Sequence, residues 1–305
     1  MPSIAIVAVT LDFIFGEPRR YHPLVGFGWI VNKLEAWFNP ISKQNLSTQR
    51  LIGAFALVLL ITPFIILAYW LCHITLTSVI ANALLLYFAI GHKSLHDHAR
   101  AVTHALYNHD EALAKTAASY MVSRDSAAIE PIPATVESVV ENGNDGVFGA
   151  LFWFFIAGGT GALLFRLANT MDAMWGYKTP RHYYFGWAAA RLDDVLDYIP
   201  ARLTAFTYAI LGKTKLALSC WKTQAPNWDS PNAGPVMAAG AGALHVKLGG
   251  AARYHNEWHD RPVLGAGLAP VVNDIERALK LVRHGVYLWL AIFLITASSV
   301  SVYLA

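Results

Sequence analysis

An uncharged apolar run at residues 51–72, LIGAFALVLLITPFIILAYWLC, constrains the fold of this chain more than any other feature. The hydrocarbon layer of a bilayer is about 30 Å thick, and an α-helix crosses it in about 20 residues. The run therefore predicts a membrane-spanning helix. Pro63 lies inside it, and a membrane helix tolerates such a kink because neighbouring helices satisfy the freed backbone groups.

The composition of the whole chain agrees with a membrane protein. Of its 305 residues, 55% are hydrophobic and 14% are charged, whereas about 25% of the residues in soluble domains are charged. The net charge is only +3 and no Lys/Arg-rich block is present, so nucleic-acid binding has little support. No linker or shift in composition divides the chain, which predicts a single integral membrane domain over residues 1–305.

Further apolar stretches accompany the first one. They lie at residues 74–91, 147–168, 199–220 and 285–305. The second of these four is interrupted by GGTG, and the third is weakened by Arg202, Lys213 and Lys215. The predicted fold is therefore an all-α polytopic integral membrane protein with about four to six transmembrane or re-entrant helices and helical polar loops.

The polar regions between these stretches predict the topology. Residues 16–50, 92–146 and 221–284 carry most of the Lys and Arg, including Arg19, Arg20 and Lys43. The positive-inside rule places these regions in the cytoplasm, which makes the cytoplasmic (inner) membrane the predicted location. The same count places residues 169–198 on the opposite face, unless the interrupted stretch before them is re-entrant. The sequence leaves both topologies open.

An acidic stripe precedes the interrupted stretch in ATVESVVENGNDG. Glu137, Glu141 and Asp145 are spaced four residues apart and share one helix face, with Asn142 beside them. Like charges at this spacing destabilise a helix, and a cation would relieve them. Hard oxygen ligands of this kind suit Mg²⁺. Spacing alone favours the alternative, a solvated acidic face on an amphipathic helix.

A second polar constellation follows in NTMDAMWGYKTPRHYYFGWAAARLDDVLDYIPAR. Lys178 and Arg181 lie in a Gly/Pro-punctuated loop, where they could clamp a phosphate. Asp193, Asp194 and Asp197 fall on one side of the predicted next helix and could hold a second cation. The alternative is that the acids and bases neutralise one another at a membrane interface.

Two weaker signals complete the residue-level analysis. SPNAG at residues 230–234 precedes a Gly/Ala-rich stretch, which favours close helix packing or a close approach of backbone to a ligand. His92 and His96 share a helix face without an H-E-x-x-H motif, so they are either interface histidines or metal ligands. These features fit a metal- and phosphate-using membrane enzyme, or a transporter whose acids line a path.

Four motifs together resemble one protein family. They are LDFIFGEPRRYHPLVGFG, the block from RDSAAIE through ATVESVVENGNDG to LDDVLDYIPARLTA, SPNAG, and RPVLGAG. In this order the chain resembles the CobD/CbiB family, the adenosylcobinamide-phosphate synthases of cobalamin biosynthesis, over about residues 11–267. The chain departs from the family pattern at Gly143 and Asn144, where a Thr or Ser pair is common, and at Pro235 and Val236, where Trp-Pro is usual.

The resemblance implies an ATP-dependent ligase of the inner membrane. Such an enzyme joins the free carboxyl of adenosylcobyric acid to (R)-1-amino-2-propanol O-phosphate, or to a related amino-alcohol phosphate, and forms adenosylcobinamide phosphate. Mg²⁺ and ATP are the implied cofactor and co-substrate, and other late corrin-pathway enzymes are implied partners. Because an unactivated carboxylate does not react with an amine, an acyl phosphate is the simplest intermediate.

The resemblance also implies roles for particular residues. The implied metal ligands are Glu137, Glu141, Asn142 and Asp145. The implied catalytic residues are Asp172, Arg181, Asp193 and Asp194. The implied cofactor- and substrate-binding residues are His22, Lys178, Arg191, Asn232 and Arg261.

Two rival functions are a corrinoid or organic-anion transporter and a non-catalytic membrane scaffold for late corrin enzymes. A transporter predicts acids inside the membrane spans. The strong apolar runs at residues 51–72 and 285–305 contain none, which favours the enzyme.

Overall fold

Helices form most of the chain in the computed structural model, which describes residues 1–18, 22–39, 46–254 and 256–304, with side chains to residue 299. The predicted cytoplasmic cations Arg19, Arg20 and Lys43 lie outside the described residues. The α-helices are α1 Pro2–Phe15, α2 Pro23–Phe38, α3 Leu46–His73, α4 Ser78–Ala89, α5 His92–Tyr107, α6 Glu111–Ser119, α7 Pro131–Gly143, α8 Gly149–Trp175, α9 Trp187–Leu211, α10 Thr214–Gln224, α11 Ala233–Leu244 and α12 Val272–Leu304. The strands are β1 Lys247–Gly249, β2 Ala252–Tyr254, β3 Glu257–His259 and β4 Val263–Gly265.

The helical segments long and apolar enough to cross a membrane number 4 within the described ranges. They are Leu46–His73, Ser78–Tyr107, Pro131–Trp175 and Val272–Ser299. This confirms the prediction of an all-α polytopic membrane protein. The four short strands, which no sequence signal predicted, pair antiparallel as β1 with β4 and β2 with β3.

One predicted span is wrong. Residues 199–220 do not form a single apolar helix, because α9 ends at Leu211 and α10 begins at Thr214. Between them the Lys213 N–H donates to the Ala243 carbonyl at 3.0 Å, and a Cβ on Gly212 would lie 2.5 Å from the Ala243 side chain. The chain turns there because α11 approaches closely. Lys213 and Lys215, which lower the hydropathy of residues 199–220, lie at or next to this turn.

The chain divides into two compact units, each formed by two separate stretches. The first unit contains Met1–Gly91 and Gly149–Asp197, and the second contains His92–Phe148 and Tyr198–Ala305. Helix α9 therefore contributes to both. The single membrane domain over residues 1–305 stays a prediction, since this division says nothing of whether either unit folds alone.

The core of the first unit lies among α2, α3 and α8. Phe27, Ile61, Leu167 and Trp175 belong to one buried apolar cluster. On the face of α3 that points away from this core, large apolar side chains are exposed; Trp70, for example, is 65% exposed. Because soluble proteins rarely expose such a continuous apolar face, it fits contact with lipid.

Helix α8 is broken where the sequence predicted an interruption. Gly158 has a φ of 62°, which favours glycine. The next amide, Gly159 N–H, donates to Asn82 Oδ1 at 2.7 Å, so a side chain from α4 satisfies a backbone group that the break leaves open. Asn82 is almost completely buried. The GGTG signal therefore marks a real discontinuity in this membrane segment.

The core of the second unit is built on close helix approaches. A Cβ on Gly240 of α11 would lie 2.4 Å from Val140 of α7, so only glycine permits this contact. The buried Tyr208 hydroxyl donates to the Val140 carbonyl at 3.0 Å, and Trp289 Nε1 donates to Thr207 at 2.8 Å. These contacts join α7, α9, α11 and α12 and hold α7 rigidly.

Candidate active site

Helix α7 carries the acidic stripe, and its first acid is deeply buried. Pro131 occupies the first turn, where its missing N–H is not needed. Residues 134–140 are all buried. The Glu137 side chain is only 3% exposed, and a buried carboxylate requires partners.

Two arginines and a backbone amide hold the Glu137 carboxylate. Arg124 Nη2 forms an ion pair with Oε2. Arg261 Nη2 lies 3.2 Å from the same oxygen, and Gly249 N–H donates to Oε1 at 2.9 Å. Burial by itself lowers the pKa of Arg124, but the charges of Glu137 and Tyr254 and the hydrogen bonds to them together outweigh burial and raise it. Two guanidiniums thus face one carboxylate.

Arg261 is oriented by further contacts. Its Nε donates to the Gly250 carbonyl at 3.0 Å, and its guanidinium lies 5.3 Å from the Trp228 ring centroid. Gly249 and Gly250 both have φ near +80°, at 79° and 78°. This left-handed pair turns the backbone so that one residue donates to Glu137 and the next accepts from Arg261. Arg261 thus acts as a support behind Glu137.

A cleft of about 910 Å³ opens over this cluster in the second unit. Pockets for small ligands occupy roughly 300–1,000 Å³. Its polar lining includes Lys115, Arg124, Glu130, Glu137, Lys247 and Gly249. Its apolar lining includes Leu106, Ile129, Ile132, Leu248, Trp258 and Val263.

Two lysines bring positive charge to the cleft. Lys115 Nζ lies 3.1 Å from Glu111 Oε1, with about a third of its side chain exposed. Lys247 is exposed and its ammonium has no hydrogen bond or ion pair to the part of the chain that the structure describes. The cleft is also lined by Glu111, Glu130 and Glu137. An excess of positive charge therefore arises only at its floor, where two guanidiniums face the single Glu137 carboxylate, and an anion is favoured at that point.

The predicted metal ligands are not assembled into one centre. Glu137 is occupied by two arginines, and Asn142 Nδ2 donates to Ser138. Asp145 accepts from Asn144 Nδ2 at 2.9 Å inside a π-helical turn, Asn144–Phe148. Among the described residues no group of three or more His, Cys, Asp or Glu is placed to hold a metal ion. The four-residue spacing could not show that Arg124 and Arg261 neutralise the first acid.

Glu141 differs from its two neighbours in the stripe. Its side chain is affected by burial and by the charges of Asp145 and Glu137, yet within the described ranges the carboxylate forms no hydrogen bond or ion pair. It therefore differs from Glu137 and Asp145, whose carboxylates have partners.

The polar loop after α8 belongs to the first unit, and Arg181 is tied down there. Arg181 Nε and Nη2 each donate to a Glu35 oxygen at 2.7 Å, which makes a bidentate pair. Asn39 Nδ2 donates to the Arg181 carbonyl at 3.0 Å and to Glu35 Oε1 at 3.1 Å. Burial raises the pKa of Glu35, but the hydrogen bonds from Arg181 and Asn39 outweigh burial and lower it. This pair fixes the loop against α2.

The other predicted residues of this loop and of α9 largely contact one another. Arg191 Nη1 lies 3.0 Å from Asp194 Oδ2, and Asn169 Nδ2 donates to Asp193 Oδ1 at 3.5 Å. Burial raises the pKa of Asp194, with Arg191 opposing the shift. Lys178 is exposed, and Asp172 is half-buried near the end of α8. Their predicted catalytic and phosphate-binding roles stay predictions.

His22 and Asn232 both lie at helix starts. The His22 ring Nδ1 accepts from Leu24 N–H at 3.2 Å and so caps α2, and burial lowers its pKa. Asn232 Oδ1 accepts from Arg202 Nη1 at 2.6 Å within the turn that begins α11. SPNAG is thus a helix-start turn, held also by Ser230 Oγ, which accepts from Ala233 N–H at 3.1 Å. Their predicted role toward a corrinoid stays a prediction.

Of the predicted site residues, the structure brings together Glu137 with Arg261 and Arg191 with Asp194. Sequence reasoning missed Arg124, Lys247 and Glu35. Arg124 stands in RDSAAIE, inside a motif already recognised, and a lone arginine thirteen residues before an acid gives no periodic signal. Lys247 lines the cleft and Glu35 pairs with Arg181, and both positions depend on contacts between segments that are far apart in sequence.

Comparison with known proteins gives consistent matches over nearly the whole chain. The family described as "CobD/Cbib protein" matches residues 5–282. A protein of Chromobacterium violaceum named "Cobalamin biosynthesis protein CobD" is 51% identical over 296 residues, covering 95% of each chain. Proteins with the same name from Stutzerimonas stutzeri and Mycobacterium tuberculosis (strain H37Rv) are 51% and 37% identical, covering 95% and 91% of this chain and 95% and 90% of their own. No solved structure matches the chain.

Proposed function

Because the chain belongs to the CobD/CbiB family of cobalamin biosynthesis proteins, we propose that it is an ATP-dependent amide ligase of the late corrin pathway. It joins the free carboxyl of adenosylcobyric acid to (R)-1-amino-2-propanol O-phosphate, or a related amino-alcohol phosphate, and releases adenosylcobinamide phosphate. The observation that carries the proposal is the cleft with a cationic floor beside α7. Among the reactants, a phosphate group is the anion that such a floor recognises best.

The chemistry requires two separate tasks. ATP transfers its γ-phosphoryl group to a carboxylate oxygen, which gives an acyl phosphate and ADP. The neutral amine then attacks the acyl carbon, inorganic phosphate leaves, and the amine loses a proton to a base. Positive charge held near the phosphoryl oxygens stabilises the first transfer and the departure of phosphate.

The residues of the cleft divide these tasks. Lys247 and Arg124 bind phosphate oxygens, the lysine as a mobile point charge and the arginine in a fixed geometry. Glu137 and Arg261 are positioning residues, because they hold Arg124 in place by an ion-pair network and their own charged groups are engaged in it. Glu141 takes the proton from the amine or holds the cation that enters with ATP.

Magnesium fits this site as a companion of the nucleotide. Glu141 and Asp145 offer carboxylate oxygens on the same helix face, whereas Glu137 is already neutralised. Mg²⁺ typically binds one or two carboxylates together with substrate phosphates. When bound, it would offset the charge of the triphosphate.

We place the site at the cytoplasmic face of the inner membrane. Residues 92–146 and 221–284 supply the cleft. Together with residues 16–50 they carry most of the Lys and Arg of the chain, and the positive-inside rule places them inside. ATP is available on that side.

The test uses purified protein in lipid nanodiscs with adenosylcobyric acid, the amino-alcohol phosphate, ATP and Mg²⁺. We expect a new corrinoid, identified by its mass, and one ADP for each product molecule. A folded protein that forms no new corrinoid and no ADP would refute the ligase. ATP hydrolysis with transport into sealed vesicles, and without ligation, would establish the transporter instead.

Variants then locate the phosphate site. For Lys247→Gln we expect the KM of the amino-alcohol phosphate to rise roughly tenfold, because one charge-assisted contact is lost. Lys222→Gln removes the same charge from an exposed position of α10 and should leave KM unchanged. Equal effects from the two variants would contradict the placement in this cleft.

A further inference from the structure

A basic cluster lies between α5 and α12 of the second unit, apart from the cleft. His92, His96 and Arg100 follow one another at four-residue spacing on α5. The Arg283 charge from α12 acts on both histidines. Two acids lie at this place. Glu276 Oε1 lies 3.5 Å from Arg100 Nε, and Asp97 follows His96 directly and acts on it.

His92 is the least satisfied group of the cluster. It is 5% exposed, and neither ring nitrogen has a hydrogen-bond partner in the described parts of the chain. A neutral imidazole carries one N–H and a charged one carries two. A buried donor without a partner costs about 1–3 kcal/mol, so a partner from outside the chain would stabilise this arrangement.

The charge of the cluster selects an anion over a metal ion. Arg100 and Arg283 act on His96 against the acids Glu276 and Asp97. Asp97 is paired with Lys93 at 3.1 Å, and Arg283 forms no hydrogen bond or ion pair to any residue that the structure describes. The ring centroids of His92 and His96 are 6.0 Å apart, and this spacing on a helix can also chelate a metal. However, a divalent cation would be repelled by both arginines, and the described residues supply no third metal ligand.

The position of the cluster identifies the kind of anion. His92 follows directly after the uncharged stretch at residues 74–91, and Arg283 is the last charged residue before the stretch at 285–305. The two segments thus change from apolar to polar at His92 and at Arg283, which lie near each other because the Arg283 charge acts on His92. In a membrane helix this change marks the level of the lipid headgroups.

We propose that His92, His96 and Arg283 form a binding site for a phosphate group at the membrane surface. The imidazole N–H groups and the guanidinium fork donate to phosphate oxygens, with Arg100 and Glu276 forming the outer rim. The phosphate belongs to a phospholipid headgroup or to a free phosphate compound. This site does not depend on the ligase function.

Native mass spectrometry of delipidated protein tests the site. Phosphatidylglycerol is titrated into wild type, Arg283→Gln, Arg283→Lys and His96→Gln, with Lys222→Gln as a control of equal charge. We expect saturable binding of lipid to wild type and to the control. Affinity should fall roughly tenfold in Arg283→Gln and less in Arg283→Lys, which keeps the charge but loses the fork.

Inorganic phosphate at millimolar concentration separates the two sources. Lipid binding that phosphate does not displace assigns the site to a headgroup, and displacement assigns it to a free phosphate compound. Equal affinity in all variants, or an equal loss in Arg283→Gln and Lys222→Gln, would overturn the proposal. Circular dichroism of each variant checks folding, and His96→Gln alters a half-buried side chain that leaves the buried His92 intact.

Discussion

Glu137 in the second unit and Glu35 in the first are both held by arginine, but their surroundings differ. Glu137 faces two guanidiniums whose side chains are only 13% and 16% exposed. Glu35 faces one, Arg181, whose side chain is 45% exposed. The first arrangement carries an excess positive charge at the floor of a cleft, whereas the second is balanced and open to water.

This difference separates a group that binds a ligand from one that holds a loop. Water and salt screen the Arg181 pair, so it contributes little to stability and presents no uncompensated charge. The Glu137 cluster is shielded from water, and its charges act strongly on each other and on whatever enters the cleft. Identical residue types therefore take different roles because their burial differs.

The largest expected effect is that of Glu137→Gln, which would leave two buried guanidiniums without a carboxylate. We expect a loss of about 3–5 kcal/mol in the free energy of unfolding, the usual result of breaking a buried pair. Denaturant unfolding in mixed micelles measures it. The matched control is Glu35→Gln, for which we expect less than about 1 kcal/mol. Similar losses from both would remove the distinction between the two sites.

The next effect concerns the glycine pair that supports Glu137. A Cβ at Gly249 would lie 2.2 Å from the Pro262 carbonyl oxygen, whereas a Cβ at Gly250 would meet nothing within 4 Å. Both residues have positive φ, so each alanine substitution costs about 1–2 kcal/mol of backbone strain. We expect Gly249→Ala to be less stable than Gly250→Ala by about 1–3 kcal/mol because of the added clash. Equal stabilities would show that the turn is not held as described.

A smaller effect is expected when Arg181 is shortened. Arg181→Ala removes the bidentate pair and frees the loop, but the arginine is half-exposed, so the loss in unfolding free energy should stay below about 1 kcal/mol. Faster hydrogen exchange at residues 176–186, with exchange around Glu137 unchanged, would confirm a local role. A loss of turnover without faster exchange would instead favour the catalytic role that the sequence predicted for Arg181.

The smallest effect is the pH dependence of the Glu35 pair. The folded-state pKa of Glu35 is lowered, so its stabilisation is complete above the unfolded pKa of about 4.3 and is lost as pH falls through the folded value. The difference in melting temperature between wild type and Arg181→Gln should therefore shrink below about pH 4.3. A difference that stays constant from pH 7 to pH 3.5 would contradict the pairing.

Much of the fold could be predicted from the sequence, because a membrane segment is a run of consecutive apolar residues and can be found without knowing any tertiary contact. The uncharged run at residues 51–72 lies inside α3, and GGTG marks the break in α8. The fourth predicted span failed, since Gly212 and Lys213 turn the chain against α11. That contact joins residues far apart in sequence, and hydropathy averaged along the chain does not contain it.

The site was predicted less well than the fold. The four-residue spacing predicted that Glu137, Glu141 and Asp145 share one face, which holds for an α-helix, but Asp145 lies in the π-helical turn that follows α7. Spacing carries no information on what faces the stripe, and Arg124 and Arg261 reach Glu137 from 13 and 124 residues away along the chain. In the folded chain the Glu137 carboxylate forms ion pairs with both arginines, an arrangement that the spacing of the acids could not predict.

Consecutive residues suffice to predict the membrane class, the family and most of the helices that carry the polar residues, because bilayer thickness and helix periodicity act on neighbours in the chain. Which charges are paired and which are open depends on the folded arrangement. Lys247 and Arg283 remain without ion pairs in the described residues, whereas Glu137 and Arg181 are paired. The reason is that charge pairing depends on distance and burial in space, and these arise only when segments remote in sequence come together.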